Sequence, residues 1–129
     1  MLFYDLFRHS PDFKTIRSGE TLLREGEPGD VMYVLIEGMA RITNRGVLLD
    51  QIGQGDFVGE LSVIDGSDRI ATVTAMTDCK FVIVDKKRFH FLVEETPNFA
   101  IEVMRVLADR LRKCDLRFVA GAGAVAESE

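Results

Sequence analysis

A glycine-rich stretch carries two residues of opposite charge whose positions suit recognition of a phosphate and a sugar. It runs from Gly55 to Ile64, and a tight loop connects it to Arg69. Gly59 lets the backbone approach a ligand closely, and one helical turn after it would present free amides to a phosphate. Arg69 can return to the same place and bind phosphate oxygens through two donors. Glu60 would repel a phosphate unless it accepts hydrogen bonds from sugar hydroxyls, so it is expected to bind a ribose 2′-hydroxyl.

A structural ion pair is the alternative for these two residues. Taken as isolated residues, Glu60 and Arg69 fit that simpler interpretation better. The strands and turns that would position the two side chains decide between an ion pair and a binding site.

Short apolar segments separated by regularly spaced glycines fill the first half of the chain. Residues 27–30, Glu-Pro-Gly-Asp, predict a turn, because proline presets φ and glycine tolerates positive φ. Val31–Ile36 and Phe81–Val84 predict buried strands, and Arg69–Ala75 predicts a strand with partial alternation. Such spacing is typical of an antiparallel sandwich or roll.

From residue 86 the apolar period lengthens and predicts helices. Asp85 can cap a short helix over Lys86–Glu94, and Pro97 suits the first turn of a second helix that ends near Phe118. An apolar seam follows the second helix at alternating four- and three-residue steps. Its members are Ala100, Met104, Leu107, Leu111, Cys114 and Phe118. Either the helix packs flat on the roll, or its second half packs against a partner chain or closes over a ligand.

Composition restricts the class of protein. The chain has 129 residues, of which 47% are hydrophobic, and a net charge of −5. One domain of ordinary size is expected, in the cytoplasm, since no apolar run is long enough to cross a membrane and no signal peptide is visible. The basic cluster near residues 110–117 is interrupted by acids, so direct DNA binding is not expected. Two cysteines and two histidines predict neither a disulfide framework nor a metal site.

An ordered series of motifs resembles the cyclic-nucleotide-binding domain of catabolite-activator-type regulators, cyclic-nucleotide-gated channels and cyclic-nucleotide-dependent kinases. The resemblance covers about residues 13–115. Its motifs are Gly19-Glu20, Leu23 to Asp30, Tyr33-Val34, Gly38, Gly55 to Leu61, Arg69 and Ala71-Thr72-Val73. It implies a mainly β fold with flanking helices: a jelly-roll β-barrel of the double-stranded β-helix type, with a short phosphate-cassette helix and two C-terminal helices. Residues 1–129 would form a single domain, with the roll at about 13–85, the helices at about 86–118 and a flexible tail at 120–129.

The same resemblance implies a set of ligand-binding residues. In the family, the Gly59, Glu60 and Leu61 positions contact phosphate and ribose, and the Arg69 position neutralises the cyclic phosphate. The C-terminal helix closes over the base, and counting from Pro97 places that contact at Cys114, with Leu111 one turn earlier. The predicted set is Gly59, Glu60, Leu61, Ser62, Arg69, Ile70, Ala71, Leu111 and Cys114. Asp50, on the strand before the cassette, is a weaker candidate for a contact near the base.

Two residues depart from the family pattern. Ile70 follows the arginine where Ser, Thr or Ala is usual, so it offers only its amide and crowds the space. Asp68 precedes the arginine where proline is common, and its carboxylate could compete with the phosphate. Both changes could weaken the affinity for a cyclic nucleotide. Because Ile70 has no hydroxyl, cAMP is expected to be slightly preferred over cGMP.

These features predict a non-catalytic sensor of cAMP or cGMP, with no further cofactor, in which ligand binding moves the C-terminal helix. The helix could form a homodimer or contact a separate effector protein. No helix-turn-helix follows, and the start and finish suggest a standalone protein, although a piece of a longer one is the alternative. A second hypothesis, motivated by Ile70 and Asp68, is a protein-interaction domain that no longer binds nucleotide. A cupin-like enzyme would need clustered histidines, and the chain has only two.

Overall fold

The computed structural model describes the backbone of residues 2–128 and the side chains of residues 3–113. The chain divides into two compact units, residues 1–91 and residues 92–129. Within the described residues, none of the helices has the length and apolar character needed to cross a membrane.

Two four-stranded antiparallel sheets form most of the first unit. The strands are β1 (Phe13–Ile16), β2 (Thr21–Leu23), β3 (Met32–Glu37), β4 (Ala40–Asn44), β5 (Val47–Ile52), β6 (Phe57–Val58), β7 (Thr72–Ala75) and β8 (Cys79–Val84). One sheet has the order β1-β8-β3-β6 and the other β2-β7-β4-β5. The helices are α1 (Leu2–Phe7), α2 (Glu60–Asp65), α3 (Lys86–Glu95) and α4 (Pro97–Ser128). The predicted mainly β jelly roll with a short cassette helix and two C-terminal helices is confirmed.

Apolar side chains from both sheets form one core between them. Leu35 and Phe81 come from one sheet, and Ile52 and Val73 come from the other. Strand β7 alternates half-buried and buried residues, as expected for a strand with one face on the core. Strand β3 instead buries Val34, Leu35 and Ile36 consecutively, because α1 packs on its other face. Burial on both faces explains its continuous apolar sequence.

Helix α1 is attached to the roll through two aromatic side chains. The ring of Phe3 meets the ring of Phe57 edge-on, with centroids 4.9 Å apart. Phe7 is completely buried, and the guanidinium carbon of Arg88 lies 4.9 Å from the centroid of its ring. Arg88 Nη1 also donates a hydrogen bond of 2.8 Å to Ser10 Oγ. Arg88 therefore connects the start of α3 to α1 and to the residues that follow α1.

We expect Arg88→Ala to lower the free energy of unfolding by about 1–2 kcal/mol, the combined contribution of one cation–π contact and one partly buried hydrogen bond. Urea denaturation measures the change. Lys87→Ala is the matched control, because Lys87 is the exposed neighbour on the same helical turn. Equal losses in the two variants would contradict the role assigned to Arg88.

The two C-terminal helices extend beyond the predicted ends. Helix α3 is one residue longer than expected, and α4 continues to Ser128 instead of ending near Phe118. The correction has a local reason: alanine, the strongest helix former, occupies alternate positions from residue 120 to residue 126, and its propensity outweighs the two glycines between. In the seam, Met104 and Leu111 are 60% and 63% exposed. The side chains of Cys114 and Phe118 lie outside the described residues.

Candidate functional site

The cassette begins where strand β6 ends at Val58. Gly59 follows in the left-handed conformation, with φ of 80° and ψ of 11°, and α2 starts at the next residue, Glu60. A Cβ atom at position 59 would lie 2.8 Å from Arg69 Nη1 and 3.2 Å from the carbonyl oxygen of Val31. Both the backbone conformation and the available space therefore require glycine here.

Arg69 is buried beside this turn, with 8% of its surface exposed. Its Nη1 donates hydrogen bonds to the carbonyl oxygens of Val31, at 2.8 Å, and of Gly59, at 3.2 Å. The main chain is also fixed, since the Arg69 amide donates to Glu27 O at 2.8 Å and its carbonyl accepts from Gly26 N at 2.7 Å. Residue 69 pairs with the loop at residues 26–27 and lies outside the strands, and β7 begins at Thr72, three residues later than predicted.

Gly29 lies directly against the Arg69 guanidinium. A Cβ atom at position 29 would be 2.2 Å from Arg69 Nε, 2.3 Å from Cζ and 2.7 Å from Nη2. In the sequence, Gly29 was predicted to lie in a turn and belongs to the motif from Leu23 to Asp30, but it was not predicted as a site residue. Its place in the Pro28-Gly29-Asp30 motif was the available signal, but the motif alone did not say which side chain approaches it.

Acidic groups surround the buried guanidinium. Burial lowers the pKa of Arg69, whereas Tyr33, Asp30 and Glu60 raise it. Burial also raises the pKa of the Tyr33 phenol; Arg69 lowers it, and Asp30 raises it. An arginine stays protonated despite such shifts, so the site holds a permanent positive charge. Tyr33 and Asp30 belong to the sequence motifs but were not predicted as site residues, and they are further residues near the Arg69 charge.

The other cassette residues differ in exposure. Glu60 and Ser62 are 6% and 4% exposed, and Leu61 is half-buried on the same helix. Glu60 lies close enough to act on the charge of Arg69, as either a sugar-binding role or an ion pair requires.

The residues that flank and follow Arg69 face the surface more. Ile70 is 62% exposed, Asp68 is exposed, and Ala71 is half-buried. Leu111 is an exposed residue of the second unit, whereas the side chain of Cys114 is outside the described part, and Asp50 is half-buried on β5. The structure thus brings Gly59, Glu60 and Arg69 together. Among the described residues, no cluster of His, Cys, Asp or Glu is arranged to hold a metal ion.

Comparison with known proteins identifies the class that this fold and site define. The sequence model of the family described as "Cyclic nucleotide-binding domain" matches residues 13–96. The chain therefore belongs to the cyclic-nucleotide-binding domain family, as the sequence motifs predicted.

Individual relatives agree with this assignment. The "CRP-like cAMP-activated global transcriptional regulator" of Mycobacterium tuberculosis is 34% identical over 119 residues, covering 84% of this chain and 53% of that protein. The chain thus spans about half the length of this relative. "Lysophospholipase nte1" of Aspergillus fumigatus is 30% identical over an alignment of 102 residues, which covers 75% of this chain and 7% of that protein. A transcriptional regulator and a much longer lysophospholipase therefore both contain related segments.

Solved structures share the fold at recognisable sequence identity. The "Thermus thermophilus Catabolite Activator Protein" gives a TM-score of 0.74 at 26% identity, over 83% of this chain and 53% of that one. The structure of "cAMP bound PfPKA-R (141-441)" gives a TM-score of 0.72 at 29% identity, over 81% of this chain and 36% of that one.

Proposed function

We propose that this chain is a non-catalytic sensor of cAMP or cGMP in which Arg69 binds the cyclic phosphate and Glu60 binds the ribose 2′-hydroxyl. The position of the Arg69 guanidinium carries the proposal. It is buried, seated against Gly29 and Gly59, and bonded to the main-chain carbonyls of Val31, before β3, and of Gly59, at the start of the cassette helix. Burying a charge is costly unless it is compensated. A site built to hold one cation beside an acceptor for hydroxyls suits an anionic sugar phosphate.

The donors of Arg69 support phosphate binding. Guanidinium has five N–H donors, and the hydrogen bonds of its side chain in the structure both start from Nη1. Nε and Nη2 then serve the phosphate oxygens. Gly59, Leu61, Ser62, Ile70 and Ala71 complete the contacts to phosphate and ribose. Leu111 and Cys114 are the proposed contacts of the C-terminal helix with the base.

The proposed output is a change in the position of the C-terminal helix. A ligand that binds one helix arrangement more tightly shifts the population toward it. The exposed apolar side chains of Met104 and Leu111 would then meet a second copy of the chain or a separate effector protein. Residues 1–129 act in this proposal as one domain of a cytoplasmic protein that does not itself bind DNA.

Isothermal titration with cAMP and cGMP tests the sensor. Micromolar or tighter binding is expected, with a slight preference for cAMP. Glu60→Gln keeps the shape but removes the charge that strengthens bonds from the ribose hydroxyl, so affinity falls by about tenfold. The 2′-deoxy analogue of cAMP binds both forms equally in this proposal, because it lacks the hydroxyl. Glu37→Gln, at an exposed position on β3, is the matched control. A folded chain that binds neither nucleotide would sink the proposal.

A protein-interaction domain without nucleotide binding is the second candidate. The exposure of Ile70, at 62%, and of Asp68 on either side of Arg69 favours it, because both residues depart from the family pattern and are available to a partner. The same titration separates the two functions. A folded chain without affinity for either nucleotide is the outcome that this candidate requires.

A further inference from the structure

The segment that carries Arg69 is fixed from two other parts of the roll, the loop at residues 25–27 and the hairpin that contains Asn44. Its first residue is bonded through both main-chain groups to the loop at Gly26 and Glu27. The carbonyl of the next residue, Ile70, accepts a hydrogen bond of 2.8 Å from Asn44 Nδ2. Thr72 Oγ1 lies 3.1 Å from Glu25 Oε1 and also accepts from the Glu25 amide at 3.1 Å. Residues 69–72 are thus held by the loop on one side and by Asn44 on the other. Asn44 belongs to the β4–β5 hairpin, and its bond to Ile70 is the contact from that hairpin nearest to Arg69.

The hairpin that presents Asn44 has an unusual tip. Strands β4 and β5 are joined by Arg45 and Gly46 alone, and their φ angles are 51° and 79°. A two-residue connection with positive φ at both positions matches the right-handed twist of the strands, but a residue other than glycine adopts it at a cost. The Arg45 amide donates to both carboxylate oxygens of Glu25, each at 3.1 Å. This bond holds the strained residue in place.

Glu25 therefore joins the hairpin tip to the segment after Arg69. The Glu25 carboxylate accepts hydrogen bonds from both the Arg45 amide and the Thr72 hydroxyl. Hydrogen bonds to an ionised acceptor are stronger than bonds between neutral groups. Asn44, next to Arg45, makes the second connection between hairpin and segment. The two connections set where the main chain of residues 70–72 lies relative to the hairpin.

We propose that Asn44 is a positioning residue for the nucleotide site: its amide holds the Ile70 carbonyl, and through it the main chain next to Arg69, in the arrangement that binds the cyclic phosphate. Glu25 fixes the hairpin from which Asn44 acts. The inference rests on the proposed cyclic-nucleotide function and concerns residues outside the predicted ligand contacts. Without the Asn44 amide, residues 70 and 71 gain freedom that a bound nucleotide must again remove.

Titration of Asn44 variants with cAMP and cGMP tests this role. Asn44→Ala is expected to weaken binding by about three- to tenfold, the effect of one hydrogen bond. Asn44→Asp has the same size but no donor, and its carboxylate faces a carbonyl oxygen, so it should bind at least as weakly. Gln51→Ala, at an exposed position on β5, is the matched control and should bind like the unchanged chain.

A second readout separates positioning from general destabilisation. The NMR resonance of Arg69 Nε–Hε in the ligand-free chain should move in Asn44→Ala and stay in place in Gln51→Ala. Thermal unfolding should stay cooperative in both variants, and the loss of one hydrogen bond should lower the Tm of Asn44→Ala by only a few degrees. If the unchanged chain binds and both Asn44 variants bind equally well, the positioning role is overturned while the proposed function stands. If the unchanged chain binds neither nucleotide, both fall.

Discussion

Replacing Gly29 by alanine is expected to weaken cyclic-nucleotide binding by about a hundredfold while leaving the fold intact. The new Cβ would lie 2.2 Å from Arg69 Nε and 2.3 Å from Cζ, so the guanidinium must move. It can do so because these atoms are at the far end of a flexible side chain. A displaced guanidinium loses its hydrogen bonds to the phosphate, and bonds to charged groups contribute about 1.5–3 kcal/mol each. A hundredfold loss corresponds to about 2.7 kcal/mol.

Isothermal titration measures the loss, and urea denaturation shows that the chain still folds. Gly53→Ala is the matched control, because a Cβ atom there meets nothing within 4 Å. Arg69→Ala gives the reference for complete removal of the cation. If Gly29→Ala binds as tightly as Gly53→Ala, the guanidinium seated against Gly29 is not the group that binds the phosphate.

Gly38→Ala is expected to lower the free energy of unfolding by about 2–5 kcal/mol. Gly38 joins β3 to β4 with φ of 97°, and its Cβ would lie 2.3 Å from the carbonyl oxygen of Asp78 and 2.8 Å from Cys79 Sγ. Here the obstacle is main chain, held because the Met39 carbonyl accepts from Met76 N at 2.8 Å and from Thr77 N at 3.2 Å. The cost combines about 1–2 kcal/mol for the left-handed backbone with about 1–3 kcal/mol for overpacking.

Urea denaturation of Gly38→Ala beside Gly19→Ala separates the two contributions. Gly19 has a similar φ of 88°, but a Cβ atom there meets nothing within 4 Å. That variant should lose only the backbone contribution, about 1–2 kcal/mol. Similar losses at the two positions would show that the corner between β3 and β4 yields to the new methyl group.

Helix boundaries illustrate how local the sequence signal is. Pro97 predicted the start of α4 correctly, because proline suits the first turn of a helix. The predicted end near Phe118 was wrong, since the alanines after it favour helix while the glycines among them indicate a break. Opposing propensities of similar size cannot be ranked reliably from composition alone.

The sequence by itself determined the roll, because turns and buried strands depend on residue types at short spacing, and its ordered motifs determined the family. Taken as isolated residues, Glu60 and Arg69 fitted an ion pair better, and only the resemblance to the family made them candidates for binding a sugar phosphate. Only the tertiary structure decided what surrounds Arg69. Gly29 is 40 residues away along the chain, and the Asn44 amide meets the Ile70 carbonyl across 26 residues. Such contacts follow from strand pairing, which sets Thr43 of β4 opposite Thr72 of β7 and so brings Asn44 near the residues that follow Arg69. A shift of one residue changes which groups meet, so local pattern does not specify them.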